Sequence, residues 1–130
     1  MKWYFSNDAP IYAQLIGQIR RGIVSGVFPP GERLPSVREL ATEAGVNPNT
    51  MQRAMAELER DGLVYSQRTA GRFVTEDRGR IDDFRRRLAA EHVRRFLEDM
   101  EQLGLSRGEI LSLLPQATRK EGDAHGDPGM

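Results

Sequence analysis

Residues 47–53 place several side chains that can hydrogen-bond to nucleic-acid bases or phosphates within two helical turns. Asn49 and Gln52 each offer a paired donor and acceptor that suits an adenine edge, and Arg53 offers a forked guanidinium that suits guanine or a phosphate. The same helix face carries no carboxylate in its first two turns. A phosphate-rich partner could therefore approach the start of this helix, where the helix dipole also favours anions.

Two sets of helix-boundary signals lie close together around this segment. Ser36 and Glu39 have the spacing of a capping box, and Gly45 is suited to end that first helix in a left-handed conformation. Asn47 then provides the cap of a second helix. The pattern over residues 36–61 predicts a helix-turn-helix, whose second helix can lie in a DNA major groove.

Apolar residues at helical spacing predict the core beneath these helices. We expect an earlier helix from Pro10 to Gly26, and a short strand or a flap over the core in residues 1–9. The residues predicted to face inward are Tyr12, Leu15, Ile16, Ile19 and Ile23, then Val37, Leu40, Ala41 and Ala44, then Met51, Ala54, Met55 and Leu58.

Residues 63–74 have the composition of a β-hairpin around a polar turn. This hairpin predicts a wing beside the two helices. Arg68 at its tip and Arg72 just beyond could reach backbone phosphates or an adjacent minor groove. The alternative is that both arginines are ordinary solvated surface.

The composition shifts after Thr75. We expect a charged linker over residues 76–80, a long helix over residues 81–103 and a short helix that Pro115 stops, with a disordered tail at residues 116–130. The long helix has a broad apolar face that one small domain cannot cover, so residues 81–114 are predicted to form a dimerisation region. The predicted dimer contacts are Phe84, Leu88, His92, Phe96 and Met100.

Charge and composition exclude several classes of protein. Nineteen basic residues balance nineteen acidic ones, which argues against an indiscriminate nucleic-acid binder. The chain has no cysteine and no early apolar run, so we expect a cytoplasmic protein without a membrane partner. The only histidines are His92, on an apolar row, and His125, in the predicted tail, and no convergent catalytic or metal-ligand set is visible. An enzyme, a metal site and a cofactor are therefore not expected.

Several motifs in one order then carry a family resemblance: P-x-G-x-x-L-P-S-x-R-E-L-A, G-V-N-P-N-T-x-Q-R-A, L-E-R-D-G-L and G-x-F-V. Over residues 8–76 the chain resembles the GntR family of bacterial transcription regulators. The resemblance implies a winged helix-turn-helix that binds operator DNA as a dimer. The DNA contacts that it implies are Arg38, Asn47, Asn49, Thr50, Gln52, Arg53, Arg68 and Gly71.

Two points stay open within that resemblance. Asn47 and Thr50 have the alternative role of capping and filling the helix start. Thr69 stands where many relatives carry glycine after the wing arginine, which predicts a differently bent wing.

The sequence as a whole predicts a mainly α protein with a small β-hairpin, namely a winged helix-turn-helix followed by a two-helix dimerisation appendage. The short appendage resembles the YtrA-like subfamily of GntR regulators. We expect a homodimeric repressor on an inverted-repeat operator in double-stranded DNA, with room for an unidentified small-molecule effector. The alternative is a winged-helix module that binds proteins, although its exposed face would then be expected to show apolar groups.

Overall fold

The computed structural model describes the backbone of residues 1–125 and the side chains of residues 1–119. Within this range the fold is mainly helical, with one antiparallel hairpin, as the sequence predicts. The elements are α1 (Ile11–Val24), α2 (Val37–Ala44), α3 (Pro48–Arg60), β1 (Val64–Gln67), β2 (Gly71–Val74), α4 (Arg78–Gln102) and α5 (Arg107–His125). None of the described helices combines the length and the apolar character needed to cross a bilayer.

The chain divides into two compact units, Met1–Arg87 and a second that begins at Leu88. The first unit has its core where α1, α2, α3 and the hairpin meet, and the apolar stripes predicted for the three helices line it. Tyr12, Val37 and Ala44 of those stripes are half-buried rather than buried. The buried apolar residues of the first unit are Leu15, Ile16, Ile19, Ile23, Val24, Leu34, Leu40, Ala41, Met51, Ala54, Met55, Leu58, Leu63, Val64, Val74 and Ile81.

Residues 1–9 form neither a helix nor a regular strand and are held along α1 by two glutamines. The Gln18 side chain accepts from the Tyr4 N–H at 3.0 Å and donates to the Tyr4 carbonyl. The Gln14 side chain accepts from the Ser6 N–H at 2.9 Å and donates to the Ser6 carbonyl at 2.9 Å. The backbone of this segment therefore pairs with side chains of α1 rather than with a neighbouring strand. Of the two expected alternatives, a short strand and a flap, the structure shows the flap.

The first turn of α4 lies within the segment that the sequence predicted as a charged linker. The helix begins at Arg78, because the Asp77 carboxylate accepts from the Arg80 N–H at 3.0 Å and caps the helix start. Ile81 is buried, and Arg85 Nε donates to the Val24 carbonyl at the end of α1 at 3.0 Å. The linker prediction was therefore wrong for residues 78–80.

A second set of contacts ties the same turn to the end of α3. Arg80 Nη1 donates to the carbonyl of Asp61, the residue that follows α3, at 3.5 Å, and Arg20 of α1 forms an ion pair with the Asp61 side chain. The Arg80 guanidinium lies against Gly62, whose φ of +80° and lack of a Cβ leave room for it. A Cβ at residue 62 would lie 2.4 Å from Arg80 Nη1. The start of α4 is therefore fixed against the C-termini of both α1 and α3.

In the second unit, α5 continues through Pro115 to His125, so the prediction that Pro115 stops this helix was wrong. The proline removes one backbone donor, but the helix beyond it keeps its form, and the Thr118 hydroxyl donates to the Leu114 carbonyl at 2.9 Å. Residues 116–125 of the predicted disordered tail are helical here, and residues 126–130 lie outside the described range. The capping box of Ser106 and Glu109 that starts α5 is present.

Candidate nucleic-acid interface

The start of α3 has the cap that the sequence predicts. Asn47 Oδ1 accepts from the Asn49 N–H at 2.7 Å, and Pro48 occupies the first helical position. The first turn carries no acidic residue, so the remaining N–H groups and the positive end of the helix dipole are open to an anion. This geometry supports the capping role for Asn47.

The outward face of α3 carries three of the predicted contact residues. Asn49, Gln52 and Arg53 are exposed, whereas Thr50 is half-buried. Met51, which lies between them in the chain, is fully buried and anchors the helix to the core. The structure thus presents two amides and one guanidinium on one surface, and the burial of Thr50 favours its structural role.

Arg38 projects from the first turn of α2. In the capping box, the Ser36 hydroxyl accepts from the Glu39 N–H at 3.1 Å, and the Glu39 carboxylate accepts from the Ser36 N–H at 2.9 Å. Hydrogen bonds from the backbone and the side chain of Ser36 hold the pKa of Glu39 below its ordinary value. The Glu39 carboxylate is therefore bonded to the start of its own helix, and the exposed Arg38 side chain faces solvent.

The wing is a four-pair antiparallel hairpin. Its register pairs Val64 with Val74 and Gln67 with Gly71, and it places the exposed Arg68 in the connecting turn. No residue other than glycine has a positive φ in the described chain, so Thr69 adopts an ordinary backbone conformation in this turn. The wing turn therefore accommodates Thr69 without a left-handed backbone conformation.

Gly71 is needed in the wing for two reasons. Its φ is +107°, a conformation that side chains rarely adopt, and a Cβ there would lie 3.0 Å from Arg33 Nε. Arg33 also pairs with Phe73 through an isolated β-bridge, which brings its exposed side chain to the base of the wing. Arg33 has no local signal in the sequence that predicts this role, because its place beside Gly71 depends on a contact 38 residues along the chain.

Arg72 does not extend toward a partner as the sequence suggests. Its Nε donates to Glu59 of α3 at 2.6 Å, and its Nη1 lies 3.5 Å from Gln52 Oε1. The Ser66 hydroxyl donates to the same Glu59 carboxylate at 2.9 Å. Arg72 therefore joins the wing to α3, and Arg68 is left as the wing arginine at the tip.

The arginines of this surface differ in ion pairing from most of those along α4. Five of the seven arginines of α4 pair with carboxylates three or four residues away, as Arg86 does with Asp83 and Arg94 with Glu98. Four exposed arginines of α2, α3 and the wing region form no ion pair with any carboxylate whose side chain the structure describes: Arg33, Arg38, Arg53 and Arg68. A chain without net charge thus has a locally basic surface.

Residues 11–74 match the model of the bacterial regulatory proteins of the gntR family. The chain is 40% identical to the uncharacterized HTH-type transcriptional regulator YhcF of Bacillus subtilis over 107 residues, which cover 82% of this chain and 88% of YhcF. The chain belongs to the GntR family. This GntR protein is also 44% identical over 71 residues to the transcriptional repressor YtrA of B. subtilis, a match that covers 55% of each chain.

Two solved structures extend the family comparison. A GntR family transcriptional regulator from Listeria monocytogenes superposes with a TM-score of 0.80 at 38% identity, covering 86% of this chain and 98% of that chain. The DNA-binding domain of AraR, solved in complex with operator ORX1, superposes with a TM-score of 0.53 at 30% identity, covering 58% of this chain and 96% of the domain. The resemblance to GntR winged-helix transcription regulators is thereby confirmed.

Proposed function

We propose that this GntR-family regulator is a homodimeric repressor that binds an inverted-repeat operator in double-stranded DNA. The observation that carries the proposal is the outward face of α3, where Asn49 and Gln52 are exposed. Four exposed arginines of α2, α3 and the wing region have no carboxylate partner among the described side chains: Arg33, Arg38, Arg53 and Arg68. Amides can pair with base edges, and unpaired guanidinium groups can pair with phosphates. The AraR complex supports operator DNA as the partner, since that domain has the same fold.

Eight residues are proposed to contact DNA, as implied by the sequence: Arg38, Asn47, Asn49, Thr50, Gln52, Arg53, Arg68 and Gly71. Their surroundings divide them into two groups. Asn47 is engaged as a cap, Thr50 is half-buried and Gly71 is required by the wing backbone, so we assign these three mainly to shaping the interface. The five remaining residues have exposed side chains that can make direct contacts.

The proposed dimer contacts lie along α4, which carries the row Phe84, Leu88, His92, Phe96 and Met100. His92 and Phe96 are exposed, Leu88 and Met100 are half-buried, and the neighbouring Val93 is 55% exposed. Phe84 already packs within its own first unit, under the guanidinium groups of Arg20 and Arg87. We therefore propose that Val93 and Phe96 form the centre of the dimer contact. Burying them in a second copy would remove apolar surface from water.

Repression is the simplest outcome of such a complex, because a bound dimer blocks RNA polymerase wherever its site overlaps a promoter. The naming of the relative YtrA as a transcriptional repressor supports this sign. A regulator of this kind must reach the chromosome, so we infer that the protein acts in the cytoplasm.

Selection of genomic DNA fragments by the purified full-length chain tests the proposal. The expected result is a shared inverted repeat whose affinity falls steeply as salt rises, because phosphates supply much of the binding energy. Asn49→Ala is expected to lose the repeat, whereas Thr42→Ala, an exposed change on α2, is the matched control that should retain it. Recovery of fragments with no common sequence would overturn the proposal of specific binding.

Repression needs a separate measurement. Transcription by purified polymerase from a selected promoter should fall as the protein is added and should be restored by an excess of operator duplex. Increased transcription would show that the protein is an activator rather than a repressor, and the proposed DNA-binding surface would still stand.

The sequence left open whether a small-molecule effector binds, and we propose one place where it could. Within the first unit, an open cleft at the start of α4 offers a phenylalanine ring with acidic and basic groups around it. The lining residues include Asp61, Asp83, Phe84, Arg80 and Arg87. Thermal-shift screening of metabolites, repeated on Phe84→Ala, would show whether any ligand uses this cleft.

A further inference from the structure

Arg53 is held in an unusual way for a residue on the outward face of α3. Its guanidinium carbon lies over the ring of Tyr12 in α1, 4.4 Å from the ring centroid. Tyr12 is half-buried and is followed by the fully buried Leu15 and Ile19 one and two turns further along α1, so its ring sits on a rigid helix. A guanidinium over an aromatic face is stabilised by the ring quadrupole. Arg53 is therefore directed toward the α1 side of the surface.

The neighbouring residue is directed to the opposite side. Gln52 lies 3.5 Å from the Arg72 guanidinium of the wing, and Arg72 is bonded to Glu59 of α3. Consecutive helical residues are about 100° apart, which places Asn49 between Gln52 and Arg53 around the helix. The surface of α3 thus has a wing flank at Gln52, a centre at Asn49 and an α1 flank at Arg53.

These flanks face different parts of a DNA duplex. An α-helix with its side chains is about 10–12 Å across and the major groove is about 12 Å wide, so an inserted helix fills the groove. The centre of the helix then faces base edges, and its flanks face the phosphates that border the groove. A side chain drawn toward α1 faces the border.

We propose that Arg53 binds a backbone phosphate of the DNA and that Tyr12 is the positioning residue that holds it there. This inference rests on the proposed DNA-binding function and chooses between the guanine and the phosphate that the sequence left open as partners of Arg53. Stacking on Tyr12 uses the face of the guanidinium and leaves the N–H donors at its edge available to phosphate oxygens. Arg60, on the same side of α3, is paired with Glu57, whereas Arg53 has no carboxylate partner among the described side chains.

The test measures binding of the full-length protein to two duplexes of equal length and composition, the selected operator and a scrambled version. Arg53→Ala should weaken both duplexes by the same factor, about tenfold or more, because it removes a charged hydrogen bond to the backbone. It should also make the slope of the logarithm of the binding constant against the logarithm of salt concentration less steep by about 0.9 per protomer, because one phosphate contact is lost. Asn49→Ala is the matched control and should weaken the operator alone.

Tyrosine variants test the positioning role. Tyr12→Leu should weaken both duplexes about two- to fivefold, the equivalent of one cation–π contact, and should have no further effect in an Arg53→Ala background. Tyr12→Phe keeps the ring and should bind as the original chain does. Additive losses in the double variant would show that Tyr12 acts independently and would overturn its assignment.

The phosphate assignment itself fails if Arg53→Ala reduces operator binding to the scrambled level while leaving the scrambled duplex unaffected. Arg53 would then read a base. Failure to select any operator would instead contradict the proposed function, and the scrambled duplex with its salt dependence would still test the phosphate contact. The two failures are therefore distinguishable.

Discussion

Arg72 of the wing donates its Nε hydrogen to the Glu59 carboxylate of α3 at 2.6 Å. The two side chains are 21% and 31% exposed, so solvent screens this ion pair less than the pairs along α4. The contact joins the hairpin to α3, and these two elements carry most of the candidate interface. Its loss should affect both stability and the placement of Arg68.

Removing the Arg72 side chain should destabilise the first unit. Arg72→Ala is expected to lower the free energy of unfolding by about 1–2 kcal/mol, because it leaves a partly buried carboxylate without its charged donor. Arg86→Ala is the matched control: its pair with Asp83 is 76% and 67% exposed, so we expect less than about 0.5 kcal/mol. Urea denaturation measures both changes, and equal losses would contradict a special role for Arg72.

The same ion pair predicts a pH dependence. Burial raises the pKa of Glu59, but the hydrogen bonds from Arg72 and Ser66 and the charge of Arg72 outweigh it, so the folded pKa lies below the ordinary value. The ionised carboxylate therefore adds stability that is fully present above the unfolded pKa and is lost as the pH falls through the folded pKa. Urea denaturation at several pH values should show Glu59→Gln less stable than the original chain at neutral pH. A stability difference independent of pH would contradict the assignment.

Two glycines of α1 should respond to alanine in opposite directions. A Cβ at Gly22 would lie 2.8 Å from the Phe28 ring, so Gly22→Ala is expected to cost about 1–3 kcal/mol through overpacking. Gly17 has only Arg21 Nη1 at 4.0 Å, so Gly17→Ala should stabilise the helix by about 0.5–1 kcal/mol. Thermal unfolding of the two variants compares them directly. Stabilisation by both would show that Phe28 moves aside freely.

Asn47 should act through its cap. Asn47→Ala is expected to lower stability by about 1 kcal/mol because the Asn49 N–H loses its acceptor, whereas Asn47→Ser keeps an acceptor. Asn47→Ala should therefore also weaken operator binding, whereas Asn47→Ser should retain both stability and operator affinity. A serine variant that folds normally but loses operator binding would instead place Asn47 in direct contact with DNA.

The proposed dimer contact is tested by shortening one aromatic side chain. Phe96→Ala should raise the dimer dissociation constant about tenfold or more, because it removes the aromatic group proposed for the centre of the interface. Glu98→Ala, which changes an exposed residue near the opposite side of α4, is the control and should leave the constant unchanged. Sedimentation equilibrium gives both values. A protein that is monomeric at all concentrations would exclude the dimer proposal altogether.

Local signals account for most of what could be predicted from the sequence. The capping box of Ser36 and Glu39 and the asparagine cap of α3 depend on residues two or three apart, so their spacing alone predicts them. The Asp77 cap was not predicted, because five charged or glycine residues in a row at positions 76–80 are typical of a linker. The continuation of α5 through Pro115 depends on the helix around the proline, which the residue type does not indicate.

Local spacing could not predict the long-range contacts that determine which arginines of the candidate interface are free to bind a partner. Arg53 meets Tyr12 across 41 residues, and Arg72 meets Glu59 across 13 residues and two different elements. Nothing in the spacing distinguishes an arginine held by a carboxylate from one left to a phosphate. That distinction appears only once helices and hairpin are packed together.

The fixed start of α4 has a consequence for engineering. Arg80, Ile81 and Arg85 secure its first turns against other residues of the first unit, so residues 1–87 contain these three contacts. Joining those residues, in helical phase, to an unrelated coiled coil should yield a chimeric DNA binder whose pairing partner is chosen by the new segment. The helical appendage of this chain would then be an exchangeable part, and synthetic heterodimers with two different DNA-binding domains would become accessible.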